Sequence, residues 1–155
     1  MNKKIIPSFL IIFTFFFYSC GFTPQYAGFK NLDFDLIVDQ FSGDRDFSNE
    51  IKSQIKRYDQ DRDNVEKIKV NFDSKYEKII VSKNTKGEAT KYNIKVNINF
   101  EVSSENYSKK IIFKDEFRID KIDDKIEENN YIKIVKRNFA ERAIEKLILT
   151  IRQEK

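Results

Sequence analysis

Three patterns in the 155-residue sequence predict an α+β fold, a two-layer sandwich. Its sheet has about four mostly antiparallel or mixed strands, covered on one face by two helices. The first pattern is YNIKVNINFEV, where Tyr92, Ile94, Val96, Ile98, Phe100 and Val102 alternate strictly with Asn93, Lys95, Asn97, Asn99 and Glu101. Such alternation describes a strand with one packed face and one wet face, as antiparallel sheets have. The second is the C-terminal stretch, where Ile132, Val135, Phe139, Ala143, Leu147 and Ile151 recur every three or four residues, widened by Ala140, Ile144 and Ile148. That spacing makes one apolar helix face. The third is a shorter stripe, Phe47, Ile51, Ile55 and Tyr58, which fits a helix of about three turns.

The chain begins with Lys3 and Lys4, followed by an almost wholly apolar run from Ile5 to Tyr18. The run is too short to span a bilayer, which takes about 20 apolar residues, and has the length of a secretory signal core. Residues 1–19 therefore read as a leader. Ser19 before Cys20 resembles a bacterial lipobox, in which the cysteine is acylated and becomes the new N-terminus; Phe17 and Tyr18 depart from that pattern. Cys20 is the only cysteine, so it has no partner for an intramolecular disulfide. A secreted chain with a free thiol, or one held by its leader, are the alternatives. Several acyl chains would give stable membrane anchoring. Gly21 after the cysteine resembles a signal for outer-membrane sorting, facing the periplasm.

Residues 20–32 contain two of the four glycines and the only proline beyond the leader, and read as a lipidated tether; residues 33–155 form one domain. The first strand is expected over Phe34–Phe41, and a helix start near Asp46 or Ser48. In KIKVNF and KYEKIIVSK the second strand either continues or restarts after a bulge around Asp73–Lys75. Asn84–Glu88 carries the turn chemistry of a hairpin leading into the Tyr92–Val102 strand. A fourth strand follows, with Ile111, Phe113, Phe117 and Ile119 on its apolar face and Asp115 interrupting it.

Composition narrows the function. The leader holds two of the 29 basic residues and none of the 25 acidic ones, leaving the rest at +2 with charges interleaved throughout. Nucleic acid is not an expected partner. There is no histidine, and Cys20 is committed to lipid, so the usual zinc ligands and the commonest general base are missing. No metal, catalytic residue or cofactor beyond the covalent lipid is expected, because no phosphate loop, triad or distinctive carboxylate pair occurs. Asp123, Asp124, Glu127 and Glu128 stand at a helix start, where acids favour the dipole. The chain reads as a binding module rather than an enzyme. Its terminal helix reads as the cover of the sheet, with a membrane-surface helix as the alternative.

Cys20-Gly21-Phe22-Thr23-Pro24 followed by Tyr26, the Ala89-Thr90-x-Tyr92 entry to the alternating strand, and the closing NFAERAIEKLILTIRQ helix together resemble the lipopolysaccharide-assembly lipoproteins of the LptE (RlpB) family, in their alphaproteobacterial form. The resemblance implies a lipoprotein that assembles with and plugs the LptD β-barrel and supports insertion of lipopolysaccharide into the outer leaflet. It also implies basic residues near one end of the sheet that meet lipopolysaccharide phosphates. The best candidates are Lys83, Lys86 and Lys91 around the Asn84–Glu88 turn, with Lys109 and Lys110 at the neighbouring hairpin; ordinary solvated lysines are the alternative. Another small lipoprotein adaptor, such as an auxiliary subunit of a lipid-transport ABC system or a barrel-assembly accessory, shares the leader and composition.

Overall fold

The structure is a computed structural model that describes residues 32–105 and 107–154. The leader, Cys20 and the tether as far as residue 31 lie outside the described residues. The unit Asp33–Lys155 has the order β1 (Phe34–Gly43), α1 (Arg45–Ile55), a single 3₁₀ turn (Lys56–Tyr58), β2 (Glu66–Lys83), β3 (Ala89–Ser103), β4 (Ser108–Asp120) and α2 (Lys125–Glu154). The four strands lie in the order β1-β2-β3-β4. The sheet is mixed, with β1 parallel to β2 and β2-β3-β4 an antiparallel meander. This is the α+β sandwich that the patterns predict.

A parallel pair needs a crossover, and α1 supplies it. At the end of β1, Gly43 has φ +104°, and a Cβ there would stand 1.9 Å from the Ser74 carbonyl oxygen. Only glycine lets the chain pass so close and turn out of the sheet. Asp44 then caps α1, its Oδ1 accepting from the Phe47 N–H at 2.8 Å. The cap stands two residues ahead of Asp46, the earlier of the two expected starts. Phe47, Ile51 and Ile55 are fully buried, while Tyr58 falls in the 3₁₀ turn and is half-buried. α2 buries Val135, Phe139, Ala140, Ile144 and Leu147 over the same sheet face, which offers Ile68, Val70, Ile94, Ile98 and Phe100.

One choice left open by the sequence is decided, and two details differ from the expectation. β2 runs unbroken through Asp73–Lys75; the pairing irregularities fall between Val38 and Phe41 and from Ile80 to Lys83. Ser74 occupies a core-facing place there, and its hydroxyl meets that of Ser48 at 2.7 Å, so a polar residue continues the pattern that it had seemed to interrupt. Phe117 is 43% exposed despite sharing a side with Ile111 and Phe113, and the interrupting Asp115 pairs with Arg142 at 2.7 Å. Asn93, on the expected wet face, is 5% exposed, its amide donating to Glu116 at 3.0 Å.

Candidate functional site

The helices leave the second face of the sheet bare, and its register sets the side chains of β2, β3 and β4 in rows. Asn71, Glu101 and Lys110 form one row, followed by Asp73, Asn99 and Ile112. Next come Lys75, Asn97 and Lys114, then Glu77, Lys95 and Glu116. Cations stand beside acids both along and across the strands. Lys75 Nζ meets Glu77 at 2.8 Å, Lys110 meets Glu101 at 2.7 Å, and Lys95 lies 3.8 Å from Glu116. The bond from Lys75 lowers the pKa of the Glu77 carboxyl, and that carboxyl raises the pKa of Lys75 in return. Opposite-charge neighbours across strands each contribute roughly 0.2–1 kcal/mol.

Over the centre of this face lies an open hollow of about 560 Å³, lined by Lys75, Glu77, Lys95, Asn97, Lys114 and Glu116. Asn97 Oδ1 is itself buried, with no hydrogen-bond partner among the described residues. A second hollow of about 420 Å³, toward β1, is lined by Ser42, Asn71, Asp73, Asn99 and Glu101 together with the aromatic edge of Phe41. The face offers donors, acceptors and both signs of charge to a polar surface. At its β1 side the Ser42 hydroxyl donates to Asp73 Oδ1 at 2.6 Å.

The five candidate lysines separate into two groups. Consecutive turns of a meander lie at opposite ends of the sheet, so Lys83, Lys86 and Lys91 stand at one end and Lys109 and Lys110 at the other. Along the 15 residues of β3 that separation is roughly 45 Å. Lys109 pairs with Glu154, Lys110 with Glu101, and Lys91 with Asp120 at 3.5 Å. Lys83 and Lys86 are exposed and have no ion-pair partner among the described residues.

Near Lys83 and Lys86, α2 begins. Asp124 Oδ1 accepts from the N–H groups of Ile126 and Glu127, each at 2.8 Å. Glu128 is buried between Lys125, at 2.7 Å, and Lys78, whose ammonium also lies 3.9 Å from the centre of the Tyr92 ring. The bonds from Lys125 and Lys78 bring the Glu128 pKa down to about 2. Beside it, burial pushes the Tyr76 hydroxyl up to about 12, with Asp44 and Glu128 adding to the rise. The expected acidic cluster is therefore a helix start and an ion-pair node, tying α2 to β2.

Lys75, Lys95 and Lys114 escaped notice in the sequence because they lie some twenty residues apart and meet only through strand register. The strict alternation of β3 placed Lys95 on a wet face, and that was the signal available. Fold and surface together define a two-layer α+β domain with one dry sheet face and one largely polar face. No protein-family model matches the chain, and no curated protein matches it either. Among solved structures it is similar to rare lipoprotein B from Shewanella oneidensis, at 17% identity and a TM-score of 0.49, over 76% of this chain and 100% of that one. It is also similar to a minor lipoprotein from Acinetobacter baumannii, at 10% identity and a TM-score of 0.47, over 72% of this chain and 93% of that one.

Proposed function

We propose that this chain is an outer-membrane lipoprotein, anchored through a lipid on Cys20, that assembles with and plugs a β-barrel of the LptD kind and supports insertion of lipopolysaccharide into the outer leaflet. The observation that supports this reading most is the bare sheet face with its rows of Asn, Lys and Glu. A plug in a water-filled barrel has to present polar surface to the wall on every side. The outward residues of α2 include Lys133, Arg137 and Arg142, with Ile126, Ile134 and Leu149 exposed among them. The leader and the CGFTP opening supply the export and anchoring part of the reading. No catalytic step and no cofactor belong to it.

Lipopolysaccharide phosphates would meet Lys83 and Lys86 first, since their charges are not matched by a carboxylate among the described residues. Lys91 is close by but shared with Asp120. Lys109 and Lys110 are too distant to join them on one phosphate cluster, and belong to a separate contact if they take part.

The test is a mild-detergent pull-down of the lipidated protein from native outer membranes. One large β-barrel recovered in near-equal amount is the expected result, and the double substitution Lys95→Gln with Lys114→Gln should weaken that recovery while shifting the urea midpoint only slightly, by the loss of the Lys95–Glu116 contact. Recovery of the protein alone, or with an inner-membrane transporter, would sink the barrel reading.

A further inference from the structure

The two edges of the sheet are finished differently. Near the middle of β4, two outward main-chain groups are taken by the protein's own side chains. Lys146 Nζ donates to the Ile112 carbonyl at 2.9 Å, and the Glu116 N–H donates to Asp115 Oδ1 at 2.8 Å. Arg142 holds Asp115 in place. Side chains that fill edge groups in this way stop another strand from adding.

Along β2 the opposite holds. β1 pairs with it only as far as Ser74, whose carbonyl accepts from the Asp44 N–H at 2.9 Å as the chain departs. Main-chain groups alternate sides along a strand, so those of Tyr76, Lys78 and Ile80 face the same way as those of Ser74, where no strand follows. α1 starts beside Ser74 and runs back toward the beginning of β1, leaving this half of β2 without helix cover from its side. Ile79, Ile80 and Val81 are consequently 41%, 48% and 49% exposed. Three consecutive exposed β-branched residues on an open edge are what native sheets ordinarily avoid. Of the lysines on this stretch, Lys75 is drawn to Glu77 and Lys78 to Glu128, which leaves Lys83.

We infer that the Tyr76–Lys83 edge of β2 is a strand-addition site for an extended segment of another polypeptide, one with β-branched residues opposite Lys78 and Ile80 and a carboxylate opposite Lys83. The outward N–H and C=O groups call for a peptide backbone, because only a strand meets them in register. Ile80 on one face and Ile79 and Val81 on the other give that strand apolar neighbours on both sides. The ammonium of Lys83, which no acid among the described residues answers, selects the carboxylate. Lys83 is also one of the two cations offered to lipopolysaccharide phosphates, so the strand and the phosphates compete for it.

The test uses the full-length protein in detergent and, as probe, a synthetic hexapeptide that alternates valine and threonine and ends in aspartate. Amide hydrogen exchange and titration by fluorescence anisotropy are followed together. The expected result is saturable binding that slows exchange at the Lys78 and Ile80 amides at least tenfold. Ile80→Pro, which removes an outward N–H and leaves the β2–β3 ladder intact, should weaken binding at least tenfold. Ile80→Lys should do so as well, and carries the test if the proline variant fails to fold. Absence of binding, protection elsewhere, or equal binding by the folded variants overturns the inference. Slow exchange at these amides in the peptide-free protein, together with a dimeric mass, also overturns it, by making a second copy the occupant.

Discussion

A carboxylate set beneath the start of a helix and bonded by two lysines stays ionised far below its ordinary range, as Glu128 does with a pKa of about 2. Because the folded value lies below the unfolded one, its contribution to stability is complete above the ordinary value of 4.5 and is lost as the pH falls toward 2. Lys78→Met should lower the unfolding free energy by about 1–2 kcal/mol at pH 7, since Lys125 remains and both lysines retain some solvent. In urea titrations the gap between the two proteins should close near pH 2. Asp35 makes a related case with a different outcome. It is fully buried, and although burial raises its pKa, the backbone and guanidinium bonds from Arg62 outweigh that and lower it. Arg62→Met should cost about 3 kcal/mol by stranding that carboxylate, whereas Arg62→Met combined with Asp35→Leu should recover most of the loss. Calorimetry of the single and double variants distinguishes a stranded charge from a lost contact.

The corner between β1 and α1 depends on two adjacent residues with separable effects. Asp44→Ala removes a cap and should cost about 1 kcal/mol. Gly43→Ala should cost about 3 kcal/mol or more, because it combines a positive φ with a Cβ driven into the Ser74 carbonyl. Equal costs for the two, measured by urea unfolding, would mean that the corner relaxes. Much at this scale was legible beforehand. The period of two in β3 and the stripes of α1 and α2 identified the elements, because each buries one side against a single opposing layer. Other features depended on a partner far away in sequence. Ser74 looked like a break because Ser48, which satisfies it, lies 26 residues earlier. The exposure of Ile79–Val81 was hidden because a short apolar run reads as buried until the reach of the covering helix is known. The separation of Lys83, Lys86 and Lys91 from Lys109 and Lys110 could have been foreseen, since a meander places successive turns at opposite ends.

Across the whole molecule, one core lies between the sheet and both helices, and α2 spans roughly 45 Å along it, about the length of β3. Unfolding of the Asp33–Lys155 unit should accordingly be a single cooperative transition, with far-ultraviolet circular dichroism and tyrosine fluorescence tracing the same urea curve. Two separated transitions would indicate that α1 and β1 detach before the meander. The polar face is a surface property, and replacing Lys95 and Lys114 by glutamine should shift that midpoint only slightly, by the loss of the Lys95–Glu116 contact. The closed β4 edge bears on something apart from stability. Crystallisation of sheets, like any growth by addition, needs two reactive ends, and Lys146 and Asp115 remove one of them. A sheet begun at β2 can therefore extend in one direction only, away from this molecule, and copies of the chain cannot be strung edge to edge through both sides of the sheet.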